Sequence, residues 1–232
     1  MDAGTGVAMP YVLDLCSGLG GFSEAFLRRG WTVRRIDNDP MYASVPHTEV
    51  ADILSPDFDA GHPDVIVASP PCQAFSMLCV SKNWIWGNPM GPKTKLGLRI
   101  MRRVLAIIEK AEPRYWFIEN PRAMMRTRPE MARLPRVTIT QCQYGAKIQK
   151  PTDIWTNALG NWHPKAVCRR GASCHLAAPR GSATGLQGSG IHSPALGMWH
   201  PKSMCKSSDN CHEHHVRYVP GMTGHTTMDK VL

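Results

Sequence analysis

No apolar run in the 232 residues approaches the roughly 20 needed to cross a bilayer. Residues 1–10 hold no basic stretch followed by an apolar core, so neither a membrane span nor a secretory leader is expected. The expected setting is therefore the cytoplasm, with the nucleoid or a phage-infected cell included. Acidic residues are scarce, 18 Asp and Glu against 27 Lys and Arg, which leaves a formal charge of +9. Such a surplus favours an anionic partner, and nucleic acid is the usual one, although a merely basic surface gives the same count. Disorder is not expected, since 43% of the residues are hydrophobic, enough for a packed core. In a chain without a leader the eight cysteines read as thiols, used for catalysis, metal binding or packing.

What is present is an alternation of short apolar runs with helical stretches. Residues 11–16 form an apolar run ending in Ser17-Gly18-Leu19-Gly20-Gly21, followed by helix formers from Phe22 to a stop at Gly30. Residues 32–37 form a second strand pattern. Residues 64–69 are a near-continuous apolar run of the kind buried on both faces of a sheet. Pro70-Pro71-Cys72-Gln73 after it must be a turn, because neither proline fits a central strand. Residues 77–94 are irregular, residues 95–111 carry a helical apolar stripe, and strands are expected over 115–118, 137–142 and 153–157. The order predicts an α/β fold, a parallel sheet with right-handed crossovers, whose carboxyl edge is where ligands bind.

Beyond about residue 160 periodicity gives way to glycine, serine, proline, histidine and cysteine. Trp162-His163-Pro164-Lys165, Cys168, Cys174 and His175 recur as Trp199-His200-Pro201-Lys202, Cys205, Cys211 and His212, every pair 37 residues apart. A repeat that keeps cysteine and histidine while its neighbours vary suits ligation of zinc, a structural metal that takes four sulfur or imidazole ligands. The expected ligands are Cys168, Cys174, Cys205 and Cys211, with a histidine replacing one cysteine as the alternative. Reduced cysteines beside phosphate-contacting histidines are the bland account.

Three constellations carry chemistry. A glycine turn between a strand and a helix lets a ligand approach backbone amides. Asp37, at the next strand end, stands where an acid accepts ribose hydroxyls, so an adenosine-bearing ligand is expected. Cys72, fixed behind two prolines, is placed as a nucleophile, whereas Cys16, Cys79 and Cys142 read as small buried hydrophobes. Glu119, ending an apolar strand in the same half of the sheet, is placed to handle a proton. The stretch 77–94, with Lys82, Trp84, Trp86, Lys93 and Lys95, either closes over a nucleic-acid base or supplies packing anchors.

Asp-Leu-Cys-Ser-Gly-Leu-Gly-Gly-Phe-Ser, Pro-Pro-Cys-Gln-Ala-Phe-Ser and Glu-Asn-Pro, in this order, resemble the DNA cytosine C5 methyltransferase family over roughly residues 11–157. The resemblance implies a Rossmann-like S-adenosylmethionine-dependent domain over residues 1–160, followed by a small, irregular Cys/His-rich appendage over 161–232. It implies S-adenosylmethionine at Asp14, Ser17, Gly18, Gly20, Gly21 and Phe22, at Asp37 and Asn38, at Asp52 and Ile53, and at Ser69 and Pro70. Cys72 becomes the nucleophile that attacks cytosine C6, Glu119 the group that engages the ring, and DNA the partner, its base flipped out of the helix. Gln73, Ser76 and Lys150 become substrate contacts, Lys150 in place of an arginine of the family's Gln-x-Arg-x-Arg motif, which is missing. The Cys/His-rich tail stands where the usual target-recognition domain is expected. An RNA cytosine methyltransferase with the same site, or an inactive zinc-containing nucleic-acid-binding module, are the rival readings. An intact Cys72, Glu119 and glycine turn speak against the second, since a binder needs none of them.

Overall fold

In the computed structural model, residues 9–77, 80–146, 149–169 and 172–175 are described. Seven strands build one sheet: β1 (Tyr11–Leu15), β2 (Thr32–Asp37), β3 (Thr48–Val50), β4 (Val65–Ala68), β5 (Tyr115–Pro121), β6 (Arg136–Thr140) and β7 (Pro151–Thr156), in the order β3-β2-β1-β4-β5-β7-β6. The strands from β3 through β5 are parallel, and β7 runs antiparallel to both of its neighbours. An all-parallel sheet was expected, and β7 departs from it for a topological reason. Ten residues, 141–150, separate β6 from β7, beginning with the 3₁₀ turn Gln141–Tyr144, and a parallel return needs a crossover of a dozen residues or more.

Side-chain alternation along the strands feeds two layers. Leu13, Leu15, Ile66, Ala68 and Ile118 pack with Met101, Val104 and Ile107 of the long helix α3 (Gly91–Ala111), whereas Val12, Val65, Val67, Phe117 and Ile154 pack with Phe22 and with Phe26 of α1 (Glu24–Arg28). Helix α3 begins at Gly91, with Pro92 in its first turn, where the missing N–H costs nothing; its start thus lies inside the stretch expected to be irregular. The rest of that stretch holds α2 (Val80–Asn83) and a hairpin pairing Trp84–Ile85 with Asn88–Pro89. Another short helix, α4 (Pro129–Ala132), follows β5.

The first residues past 160 lie against the sheet. Trp162 meets the Phe117 ring edge-on with centroids 5.9 Å apart. The Lys165 amide donates to the Tyr144 hydroxyl (2.7 Å), and the Cys168 amide donates to Thr140 Oγ1 (2.8 Å). No helix among the described residues is long and apolar enough to cross a membrane.

Candidate active site

The turn after β1 is held from beneath by an arginine. Arg35, fully buried in β2, donates to Gly20 O (3.0 Å), Pro46 O (3.0 Å), Ser23 Oγ (2.9 Å) and Glu24 Oε2 (3.0 Å). Ser23 passes the contact on, its hydroxyl donating to Asp14 Oδ2 (2.7 Å). Gly20 has φ +76°, and a Cβ there would stand 2.4 Å from the Arg35 guanidinium, so glycine is required at this position by the arginine. Gly18 has φ +52°, and its amide donates to Asp37 Oδ2 (2.9 Å), while Asp37 Oδ1 accepts from the Asp39 amide (3.0 Å). Asp52 Oδ1 caps the next turn by accepting from the Leu54 amide (2.9 Å).

Three carboxylates, Asp37, Asp14 and Asp52, act on Cys16; burial, reinforced by them, raises its thiol well above the ordinary range and keeps it neutral. Burial likewise pushes the Asp14 carboxyl up to about 7 against the Ser23 hydroxyl and Arg35, and it raises Asp37. Asp14 Oδ1 and Ser17 Oγ are buried without a hydrogen-bond partner among the described residues. A turn with positive φ, surrounded by acids and holding open acceptors, fits a ligand that brings cationic groups and hydroxyls together. S-adenosylmethionine, with a sulfonium, an ammonium and a ribose, is such a ligand.

After β4 the chain makes a single 3₁₀ turn, Cys72–Ala74, closed by the Phe75 and Ser76 amides donating to Cys72 O (3.0 and 2.8 Å). Half-buried Cys72 is a reduced thiol, held in no disulfide. The turn is fastened at almost every carbonyl. Asn120 Nδ2 donates to Pro70 O (2.9 Å), Asn83 Nδ2 to Gln73 O (2.7 Å), Trp84 Nε1 to Ala74 O (2.8 Å) and the Met124 amide to Phe75 O (3.0 Å). Buried Trp84 is thus a packing anchor, with the Arg128 guanidinium 4.2 Å from its ring centroid. Trp86, at the tip of the same hairpin with φ +50°, is 96% exposed.

Glu119 sits one residue beyond Ile118, which pairs with Ala68 of β4, so it stands on the strand beside the one that leads to Cys72. Burial pushes its carboxyl up to about 7, Lys150 pulls it down and Asp153 pushes it further up. Asp153, fully buried, is held by the Arg126 guanidinium through both of its oxygens, and Arg126 also donates to Thr138 Oγ1 (3.1 Å). A carboxyl group near neutrality beside a thiol on a rigid turn can give a proton to a substrate as the sulfur attacks it.

The family model of the C-5 cytosine-specific DNA methylases matches residues 11–140, from β1 through β6. The chain belongs to that family. Among curated relatives, a protein of Frog virus 3 (isolate Goorha) described as "Probable DNA (cytosine-5)-methyltransferase" is 31% identical over 172 residues, 70% of this chain and 77% of that one. The Type II methyltransferase M.AplI of Arthrospira platensis is 32% identical over 128 residues, which cover 49% of this chain and 32% of that protein. The chain thus spans about three quarters of one curated relative and a third of the other. A crystal structure of the S. pombe Dnmt2 methyltransferase aligns at TM-score 0.44 and 18% identity, covering 64% of this chain and 49% of that one.

Within the methylase fold, Asp14, Ser17, Gly18, Gly20, Gly21, Phe22 and Asp37 share the β1–β2 edge with exposed Asn38 and Asp52, and Ile53 is buried behind them. Ser69 and Pro70 lead from β4 into the cysteine turn, where Gln73 is exposed and Ser76 half-buried. Lys150, the residue before β7, is the cation that acts on Glu119. Arg35, Asn83, Arg126 and Gly97 went unread in the sequence. The signals were an arginine in the middle of an apolar strand and a glycine inside a helical stripe. Of the expected zinc ligands, Cys168 and Cys174 lie together at the β6 end of the sheet; Cys205 and Cys211 lie outside the described residues, as does Cys79.

Proposed function

We propose that this chain transfers a methyl group from S-adenosylmethionine to C5 of cytosine in DNA, through a covalent bond between Cys72 and C6 of a flipped base. One observation carries the reading. Cys72 follows the strand next to the one that leads into a glycine turn surrounded by carboxylates, and Glu119, whose carboxyl burial pushes up to about 7, stands on the strand after that.

The acids and the glycine turn hold the cofactor: Asp37 accepts its ribose hydroxyls, Asp14 and Ser17 take its polar groups, and Asn38, Asp52 and Ile53 line the adenine side. When bound there, S-adenosylmethionine supplies an electrophilic methyl group to C5. Cytosine C5 is too weak a nucleophile to accept it unaided, and the Cys72 thiolate corrects this by bonding to C6. Negative charge then spreads towards N3, where protonated Glu119 donates its proton and leaves C5 enamine-like. Lys150, facing Glu119, stabilises the carboxylate that remains. Once C5 carries the methyl, a solvent water takes the C5 proton, the C6–S bond breaks to return the Cys72 thiolate, and N3 gives its proton back to Glu119. Gln73 and Ser76 border the base, and exposed Trp86 presents a flat apolar face where a duplex would approach. The net charge of +9 serves the phosphate backbone. The work is done inside the cell, where DNA and cofactor meet.

Nucleoside mass spectrometry of duplex DNA incubated with the protein and labelled cofactor tests this reading. The expected product is 5-methyl-2′-deoxycytidine. Label on an exocyclic nitrogen, or on RNA alone, would refute it.

A further inference from the structure

Cys142 ends the sheet's β6 side, in the 3₁₀ turn Gln141–Tyr144, and meets residues from beyond position 160. Its Sγ lies 3.7 Å from Cys174 Sγ, which lies 3.5 Å from Cys168 Sγ. His175 Nδ1 is 3.3 Å from Cys168 Sγ and 3.5 Å from Cys174 Sγ. All four ligand atoms fall within 4.8 Å of one another.

We propose that Cys142, Cys168, Cys174 and His175 form a tetrahedral structural zinc site that ties the segment after the sheet to its β6 edge. Zinc holds sulfur at about 2.3 Å and imidazole nitrogen at about 2.0–2.1 Å. Tetrahedral angles then put two sulfurs about 3.8 Å apart and a sulfur about 3.5 Å from the nitrogen. The four spacings given above match that pattern to a few tenths of an ångström, and the sulfur–sulfur ones are far from the roughly 2.0 Å of a disulfide. Two side-chain amides complete the surroundings. Gln149 Nε2 points at Cys168 Sγ and Gln143 Nε2 at Cys174 Sγ, both at 3.4 Å, the donors a thiolate ligand attracts.

This ligand set differs from the one the repeat suggests. Cys142 has no counterpart 37 residues on, where Pro179 stands, so the two copies are not equivalent. The first copy takes its fourth ligand from the sheet, leaving Cys205 and Cys211 out of this site. The site also has a mechanical consequence for the reading above. Gln149 donates to Cys168 O (3.0 Å) and the Gln141 amide donates to Lys150 O (3.2 Å), so a metal here fixes the loop that carries Lys150 towards Glu119.

Zinc content of the full chain, purified without a polyhistidine tag, tests the assignment. Cys142→Ser should lose one equivalent of zinc, whereas the Cys205→Ser/Cys211→Ser pair should keep this one. Cobalt in place of zinc should give the intense visible bands of a sulfur-rich tetrahedral centre. Because Cys142→Ser can also fail by misfolding, wild-type protein provides a second measurement. Bound zinc should protect Cys142, Cys168 and Cys174 from alkylation, and chelation should expose all three together. Full zinc content in Cys142→Ser, or a Cys142 alkylated equally fast with and without zinc, would overturn the site. Either result would overturn the zinc site and leave the methyl-transfer reading standing, since the nucleoside measurement tests that reading separately.

Discussion

Gly97 shows how closely the cysteine turn is held. It lies in the interior of α3, where glycine ordinarily costs about 0.8–1.0 kcal/mol relative to alanine. A Cβ built there would stand 2.3 Å from the Ala74 Cβ and 3.7 Å from Phe75 Cε2. Methyl carbons rest about 3.5–4.0 Å apart, so Gly97→Ala must open the gap between α3 and the Cys72–Ala74 turn by roughly 1.2–1.7 Å. Overpacking of this kind costs about 1–3 kcal/mol, enough to reverse the helix-propensity gain. An ångström of displacement at the nucleophile costs about a hundredfold in rate. The expected result is a modest loss of stability in denaturant titrations and a kcat down by about two orders of magnitude. Cofactor affinity should hold, because the glycine turn belongs to a different strand end. Ala74→Gly removes the colliding methyl, so the Gly97→Ala/Ala74→Gly double variant should recover most of the rate. A Gly97→Ala protein that is stabilised and fully active would refute the reasoning, as would a double variant no better than the single one.

Asp37→Ala should weaken S-adenosylmethionine binding by about 1.5–3 kcal/mol, the scale of charge-assisted hydrogen bonds, as read by calorimetry; unchanged affinity would remove Asp37 from the cofactor site. Glu119, pushed up to about 7 by burial, is neutral below that pH and ionised above it. The rate at saturating substrate should therefore carry a limb that falls as pH rises through 7. Glu119→Gln keeps the shape but has no proton to give, so it should lose that limb along with about 10²–10⁴ of the rate. A wild-type profile in Glu119→Gln would show that another group supplies the proton.

The strands that carry the site were legible because their physics is local. Residues 65–68 are apolar throughout and fully buried, and two prolines force a turn before Cys72. Thr48–Val50 escaped notice since three residues, two of them exposed, make no pattern. The reversal of β7 was within reach, since residues 141–150 are too short for a crossover. Helix α3 starts where Gly91 and Pro92 suggest a loop, although proline is favoured in a first helical turn. The supports of the cysteine turn could not be read. Asn83, Trp84 and Gly97 reach it through packing that no spacing encodes. Cys142 was hidden for the same reason. Alone between two strands it resembles a core residue, and only the fold brings it to Cys168, Cys174 and His175.

The covalent bond between Cys72 and cytosine is the claim on which the rest depends, and duplex DNA carrying 5-fluorocytosine tests it directly. Fluorine at C5 blocks the final loss of a proton, so the protein, its cofactor and this DNA should form a complex that survives denaturation. Peptide mass spectrometry should place the link at Cys72, and Cys72→Ala should form none while still binding cofactor. A wild-type protein that methylates ordinary DNA but leaves fluorinated DNA unlinked, or a link at another cysteine, would contradict the account.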